Sequence, residues 1–297
     1  MANRGSRRIG AVLGAGLLLW IGLGTPHRVH PQHRAAWLEV NGLRWRALSA
    51  GTGDTTLLFL HGYGESLLSW RWIIDRFTPQ YRVLAVDLPG FGLSDKPVGS
   101  YDYATYQRWV AELLARETRG PVVVVGHSLG GELAAGLAIE HPDRVVAAIL
   151  LAPAGLGISP LLADSLGHAR PSALWAAPAI SQILPSQDSA WLRDLPEAPP
   201  PSGGLSASDA ARQILEQFDF AALTRSLGQL RQPVLLIWGR EDPTIPYDIG
   251  LRFAAQLPCH HLVTFHTLHR AHQTLPDEVA AAMLKFLAQP RCGAARG

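Results

Sequence analysis

The stretch of residues 122–131, VVVVGHSLGG, places a serine between two glycines directly after four valines. A run of β-branched residues predicts a buried strand, and the alanine-rich residues 129–140 predict a helix immediately after it. In so tight a turn a side chain at Gly126 or Gly130 would collide with the neighbouring strand or helix. The sequence therefore predicts a strand, a sharp turn and a helix, with Ser128 strained and its hydroxyl exposed at the carboxyl edge of a sheet.

Strand and helix patterns alternate along most of the chain. An Asn41-Gly42 pair between two short alternating runs predicts a β-hairpin. Continuous apolar runs predict further strands, and helical spacing predicts helices between them. This alternation indicates an α/β fold with a mostly parallel central sheet and helices on both faces. The predicted strands are 55–60, the start of 82–92, 121–125, 144–153, 233–239 and 260–265, and the predicted helices are 69–77, 103–116, 129–140, 247–256 and 276–288.

The alternation breaks between residues 156 and 225, which are rich in Pro, Ser and Gly. We interpret this region as a small helical lid insertion, with a helix at SDAARQILEQF and an apolar roof that includes Trp175 and Trp191. It divides the core into a first part, residues 35–155, and a second part, residues 226–290. Residues 291–297 are predicted to form a flexible tail.

The first 30 residues form a separate segment. Arg4, Arg7 and Arg8 precede an uncharged, largely apolar run over residues 9–26. Basic residues followed by an apolar run are typical of an export signal or a single N-terminal membrane anchor. The sequence leaves open whether this segment is cleaved, and a segment without a targeting role is the alternative. We expect an exported or membrane-associated protein.

Composition excludes several classes of protein. Apolar residues make up 47% of the chain and charged residues 17%, which is enough to bury a large core and argues against a disordered chain. The net charge is only +2. The sequence has no stripe of basic residues interleaved with aromatic residues, so it does not predict nucleic-acid binding. The twelve histidines show no metal-binding motif, so no metal or cofactor is predicted. The sequence leaves open whether Cys259 and Cys292 pair.

A serine hydroxyl is a weak nucleophile and needs a histidine base that a carboxylate orients. In this architecture the acid and then the histidine follow later strands. The loop after the strand at 233–239 contains Glu241 and Asp242, of which Asp242 is the better candidate. Five histidines surround the last strand and the loop after it: His260, His261, His266, His269 and His272.

These motifs together resemble the α/β-hydrolases, in the branch of lid-bearing esterases, C–C-bond hydrolases and cofactor-free haloperoxidases. The resemblance covers residues 37–155 and 226–288. It depends on residues 61–64 (HGYG), 87–94 (DLPGFGLS), 126–130 (GHSLG) and 239–242 (GRED), and on a histidine ahead of Pro276.

The resemblance implies a role for each motif. His269 stands seven residues before Pro276 as the base, with His272 as the alternative, while His260 and His261 are expected to be structural and His266 lies too early in its loop. Ser128, Asp242 and His269 would form the catalytic triad, and Gly126, His127 and Gly130 would form the nucleophile elbow around Ser128. The backbone N–H groups of Tyr63 and Leu129 would form the oxyanion hole, His61 would shape its loop, and Asp87 would be structural.

The expected activity is acyl transfer on a small-molecule substrate. We predict a serine hydrolase that cleaves carboxylic esters of small to medium apolar substrates through an acyl-enzyme. A C–C-bond hydrolase, a perhydrolase and a non-catalytic accessory protein on the same fold remain alternatives. Haloalkane dehalogenases and the related epoxide hydrolases need a carboxylate where this chain has Ser128, which excludes their chemistry. The oligomeric state is not predicted.

Overall fold

The computed structural model describes residues 33–158 and 204–292, and within them eight strands form one sheet. The strands run in the order β1-β2-β4-β3-β5-β6-β7-β8. β2 pairs antiparallel with β1 and β4, and every other pair is parallel, so the predicted mostly parallel sheet is confirmed. The strands are β1 (Arg34–Val40), β2 (Leu43–Ala50), β3 (Thr56–Leu60), β4 (Arg82–Val86), β5 (Val122–His127), β6 (Val145–Leu151), β7 (Val234–Gly239) and β8 (His260–Phe265).

The predicted hairpin at the start of the sheet is present. Asn41 and Gly42 both have positive φ, 54° and 69°, as a tight two-residue connection between twisted strands requires. Val40 pairs with Leu43 across the turn. Strands β3, β5 and β7 are buried along their full length, which explains why they appear in the sequence as continuous apolar runs.

Helices cover both faces of the sheet, as predicted. The helices are α1 (Tyr103–Glu117), α2 (Leu129–Glu140), α3 (Ala207–Gln217), α4 (Tyr247–Gln256), the short α5 (Ala271–Thr274) and α6 (Pro276–Ala288). The apolar sides of α1, α2 and α4 pack on one face, and α6 packs on the other. The first N–H groups of a helix have no acceptor within the helix and need a partner outside it. The side chains of Asp102 and Ser206 accept such groups at the starts of α1 and α3.

The predicted helix at 69–77 is wrong in type. This region contains two short 3₁₀ segments, Leu67–Trp70 and Ile74–Arg76. The side chains of Leu67, Trp70 and Phe77 are fully buried together with the Ile73-Ile74 pair. Apolar positions about three residues apart fit the three-residue turn of a 3₁₀ helix and lie on one face there.

Cys259 and Cys292 form a disulfide, across a sequence separation of 33 residues. The neighbouring Arg291 carbonyl accepts a hydrogen bond from the His261 ring at 2.7 Å. Residues 291 and 292 are therefore attached to β8, and the predicted flexible tail is wrong for these two positions.

Three predictions fall on residues outside those that the structure describes: the N-terminal segment, most of the lid with Trp175 and Trp191, and residues 293–297. Within the predicted lid, α3 confirms the helix expected at SDAARQILEQF. No helix among residues 33–158 and 204–292 is long and apolar enough to cross a bilayer.

Candidate active site

Ser128 occupies the sharp turn between β5 and α2. Its φ of 54° and ψ of −118° are unusual for a residue with a side chain. Its backbone N–H donates to the Leu151 carbonyl at 3.0 Å, which fixes the turn to the end of β6. A Cβ at Gly126 would lie 2.2 Å from the Gly130 carbonyl oxygen, and one at Gly130 would lie 2.2 Å from the Leu60 oxygen. The two glycines are therefore required by the close approach of backbone atoms, as the sequence predicted.

The acid and the histidine come together from the loops after β7 and β8. His269 Nδ1 donates to Asp242 Oδ2 at 2.7 Å. The other Asp242 oxygen accepts the backbone N–H groups of Thr244 and Ile245, at 2.8 and 3.0 Å, so the carboxylate is fixed on both sides. Burial lowers the pKa of His269, against the opposing influence of Asp242, and His127 lowers this pKa further. The ring is thus neutral near pH 7 and its Nε2 atom is a hydrogen-bond acceptor.

Ser128 and His269 make no hydrogen bond in this structure, although the two loops are in contact. The residue before the nucleophile, His127, has its ring 4.6 Å from the His269 ring between centroids. His127 Nε2 also hydrogen-bonds the His269 carbonyl at 3.1 Å. Catalytic hydrogen bonds are often long or open without substrate. The structure therefore brings Ser128, His269 and Asp242 into one candidate site through the contacts of His127 with the loop of His269.

The predicted oxyanion hole consists of two backbone segments beside Ser128. Leu129 is the first residue of α2, and the N–H groups at a helix start have no acceptor within the helix. Gly62 lies against the nucleophile, because a Cβ on it would fall 3.2 Å from the Ser128 Cβ. Tyr63 follows it and donates its hydroxyl to the Ala211 carbonyl at 3.1 Å, which attaches this loop to α3. Both segments therefore lie beside Ser128, where the predicted oxyanion hole would form.

Glu65 is a residue of the site that the sequence analysis missed. Its carboxylate accepts hydrogen bonds from the Gly62 N–H (3.2 Å), from His127 Nδ1 (3.2 Å) and from Arg270 Nε (2.7 Å). Burial opposes its charge, but His127 and Arg270 outweigh burial and hold the pKa of Glu65 well below its usual range. One carboxylate thus joins the three catalytic loops. The only signal in the sequence is its position directly after HGYG, one residue beyond the quoted motif.

The remaining histidines have structural environments. His61 donates to the Gly62 carbonyl and accepts the Leu88 N–H, so it shapes its loop as predicted. The alternative base, His272, is fully buried with its ring 4.5 Å from that of Trp70, and it has no acid partner among the described residues. His266 pairs with Glu241 on the exposed surface, which separates the alternative acid from His269. Asp87 accepts hydrogen bonds from Arg46 and from the backbone of Leu67 and Leu93, a structural role as predicted.

One group of described residues has the donor atoms to hold a metal ion. The ligand atoms of Glu65, His127 and His272 lie within 4.8 Å of one another. Hydrogen bonds to Gly62, Arg270 and the His269 carbonyl already engage Glu65 and His127, and the cationic Arg270 shares the same carboxylate. This bonding accounts for the cluster as a polar connection between loops.

Comparison with known proteins identifies the family of the chain. Residues 55–191 match the family model of the alpha/beta hydrolase fold. A 2-hydroxy-6-oxononadienedioate/2-hydroxy-6-oxononatrienedioate hydrolase of Cupriavidus pinatubonensis is 30% identical over 230 residues, which cover 70% of this chain and 78% of that protein. The chain belongs to the α/β-hydrolase family.

Two further relatives show how far the similarity extends. Among solved structures, a bacterial membrane phospholipase A superposes with a TM-score of 0.70 at 26% identity over 86% of both chains. A dihydrolipoyllysine-residue acetyltransferase component of an acetoin cleaving system, from Cupriavidus necator, is 38% identical over 119 residues. That match covers 40% of this α/β-hydrolase and 32% of the relative, so the chain spans about a third of the relative's length.

Proposed function

We propose that the protein hydrolyses carboxylic esters of small to medium apolar substrates through an acyl-enzyme. The observation that supports this most directly is the buried 2.7 Å hydrogen bond between His269 and Asp242 beside the strained Ser128 turn. A base oriented by a carboxylate next to a serine held in such a turn is the arrangement that acyl transfer needs.

The mechanism follows from the positions of these groups. Ser128 Oγ attacks the ester carbonyl while His269 Nε2 takes the proton of the serine hydroxyl. The negative oxygen of the tetrahedral intermediate then accepts hydrogen bonds from the backbone N–H groups of Tyr63 and Leu129. The C–O bond then breaks, His269 returns the proton to the leaving alcohol, and the acyl group stays on Ser128. Water, activated by His269, attacks the acyl-enzyme and releases the acid. Asp242 holds the tautomer of His269 and stabilises its charged form.

The test is hydrolysis of p-nitrophenyl esters from acetate to palmitate by the full chain, beside Ser128→Ala. We expect turnover in the parent protein and a loss of about 10⁴-fold or more in the variant, because the nucleophile is removed. The chain-length optimum reports the size of the acyl site. Covalent labelling by an organophosphate in the parent, and not in Ser128→Ala, checks the nucleophile independently of substrate choice. Folded protein that neither turns over these esters nor becomes labelled contradicts the proposal.

A second candidate is a C–C-bond hydrolase that uses the same triad. It is favoured by the 30% identity to the Cupriavidus pinatubonensis enzyme named above. Labelling of Ser128 without ester turnover, together with cleavage of a diketone ring-fission substrate, supports this candidate over the esterase. The assembled acid–histidine pair argues against a non-catalytic accessory protein, in which an eroded triad is expected.

A further inference from the structure

A pocket of about 260 Å³ opens beside the catalytic loops. Its walls come from the loop after β3, the loop after β4, the start of α3, and the residues that follow the base. Gly64 lies next to the oxyanion-hole residue Tyr63, and Arg270 lies next to His269. Ser128 is not among the lining residues. The pocket therefore neighbours the reaction centre, and Ser128 lies outside its walls.

The charge of this pocket is unbalanced. Four cationic side chains line it, those of Arg46, Arg71, Lys96 and Arg270, against the single carboxylate of Glu65. Salt bridges neutralise two of the cations, since Arg46 pairs with Asp87 and Arg270 pairs with Glu65, both at 2.7 Å. Asp95, the residue before Lys96 in the sequence, forms a salt bridge with Arg44. Arg71 and Lys96 remain as two positive charges that no acidic side chain among the described residues contacts.

Two of the arginines are buried with unused donors. Arg46 is 5% exposed, and its only side-chain hydrogen bond within the described ranges uses Nε, which leaves both terminal nitrogens without a partner. Arg71 is 9% exposed and donates only Nη1 to the Leu68 carbonyl within these ranges. Ser69 also lines the pocket, and its hydroxyl oxygen is enclosed without a hydrogen-bond partner in the described structure. Guanidinium donors that make no hydrogen bond among the described residues and line a pocket are able to bind a ligand that accepts hydrogen bonds.

Burial also makes these cations sensitive to a counter-charge. It lowers the pKa of Arg71, and it lowers the pKa of Lys96 against the opposing influence of Asp87 and Asp95. Burial therefore leaves the charge of both groups only partly hydrated. Guanidinium groups with free terminal nitrogens bind carboxylate or phosphate oxygens in a two-pronged manner.

We propose that this pocket is a binding site for an oxyanion, the carboxylate or phosphate group of an acidic ester substrate whose scissile bond lies at Ser128. In this form the proposal depends on the proposed function, because it assigns the substrate an acidic group remote from the bond that is cleaved. Anion binding by the pocket does not depend on it and is measured separately.

The binding experiment uses calorimetric titration of the full-length Ser128→Ala protein with inorganic phosphate and with succinate. Arg71→Met and Lys96→Met, added singly to this background, are compared with Arg252→Gln, which removes an exposed positive charge on α4. We expect each pocket variant to weaken binding by about 10- to 100-fold, since each removes a charge-assisted hydrogen bond, and the control to bind as the parent does. The proposal is overturned if the parent does not bind these anions, or if all three variants bind them as tightly as the parent does. Arg46 is left unchanged because its removal would strand the buried Asp87.

The hydrolysis experiment distinguishes a substrate group from a free anion. The ratio of kcat/KM for mono-p-nitrophenyl glutarate to that for p-nitrophenyl valerate is measured in the catalytically intact protein and in the same three variants. A substrate site predicts that the ratio falls by about tenfold in Arg71→Met and Lys96→Met and is unchanged in Arg252→Gln. A constant ratio together with lost phosphate binding identifies the anion as a free ligand and overturns the substrate assignment. Absence of ester turnover contradicts the proposed function and leaves the binding result to decide the anion site.

Discussion

At the scale of single residues, the site depends on buried carboxylates that several hydrogen bonds hold in place. Asp242 accepts three hydrogen bonds and is almost fully buried, and His269 is held by one of them. Glu65 performs a comparable task beneath the site, with donors from the loops that carry Gly62, His127 and Arg270. A charged carboxylate in such a place is stable only while its donors stay in position, and it therefore holds them there in turn.

The pH dependence of kcat/KM should report His269. Burial lowers its pKa, Asp242 raises it and His127 lowers it, with a net value below the usual histidine pKa of about 6.5. A protonated ring cannot take the Ser128 proton, so kcat/KM should fall as the pH decreases through a pKa below 6.5 and stay level from there to about pH 8. A pH–rate profile with p-nitrophenyl acetate measures this. An acid limb centred above pH 7 contradicts it.

Glu65→Gln should lower kcat with little change in KM. The amide is almost isosteric with the carboxylate, but it carries no charge to neutralise Arg270. It also accepts hydrogen bonds from Gly62 and His127 less strongly, so the base and nucleophile loops lose their fixed relation. Misplacement of catalytic groups of this kind costs about 10- to 100-fold. Steady-state kinetics on a p-nitrophenyl ester measures the two constants separately.

Glu241→Gln is the matched control for this change. It removes a carboxylate from the neighbouring loop, where Glu241 is exposed and bonded to His266. We expect activity within about twofold of the parent, as is usual for surface changes. Equal losses in the two variants, or a Glu65→Gln effect limited to thermal stability, would show that Glu65 has no positioning role.

At the scale of elements, the turn between β5 and α2 is the part of the fold that the sequence specifies most completely. Two glycines, four valines and an alanine-rich run each have one structural explanation, and the observed α2, Leu129–Glu140, has the predicted bounds. The helix type of residues 67–77 was harder to predict, because an apolar spacing of three to four residues fits both an α-helix and 3₁₀ turns. Tertiary contacts decide between them here, including the Leu67 N–H bond to Asp87.

Gly130→Ala should destabilise the protein by about 1–3 kcal/mol, the usual cost of overpacking a core. The new Cβ would lie 2.2 Å from the Leu60 carbonyl oxygen and 2.4 Å from that of His61. Both are backbone atoms at the end of β3, so α2 or β3 must move, and the oxyanion-hole loop moves with β3. Urea unfolding monitored by tryptophan fluorescence measures the stability, and ester turnover should fall in parallel.

Gly228→Ala provides the comparison for that experiment. The nearest atom to its Cβ would be the Gln256 carbonyl oxygen, at an ordinary contact distance of 3.8 Å. We expect a change within about 0.5 kcal/mol. If both alanine variants unfold at the same urea concentration, close packing of the turn is not the reason for Gly130.

At the scale of the whole molecule, the order of the strands could be anticipated only through the family resemblance. Parallel strands that are distant in the sequence, such as β3 and β5, leave no local pattern that specifies their pairing. The pairing of Asp242 with His269 was predictable because the order of acid and histidine along the chain follows from the order of the strands. Glu65 and the cationic pocket were not, since each depends on loops from several parts of the chain that become neighbours only in the folded protein.

The disulfide belongs to the same scale, because it joins β8 to the segment after the final helix. Disulfides are typical of proteins in oxidising compartments. The Cys259–Cys292 bond is therefore of a kind that is common in exported proteins. Residues 291 and 292 are both exposed, so the disulfide holds in place a segment that little packing stabilises.

Cys292→Ser should lower the free energy of unfolding by about 3–4 kcal/mol, the loop-closure contribution for a separation of this length. Cys292 is the better residue to change because Cys259 is buried, and a substitution there would add a packing defect. Urea unfolding of the parent, with and without a thiol reductant, supplies the control: the reduced parent should unfold where Cys292→Ser does, and the variant should not respond to reductant. Coincident curves for oxidised parent and variant would mean that β8 and α6 already hold this end of the chain without the bond.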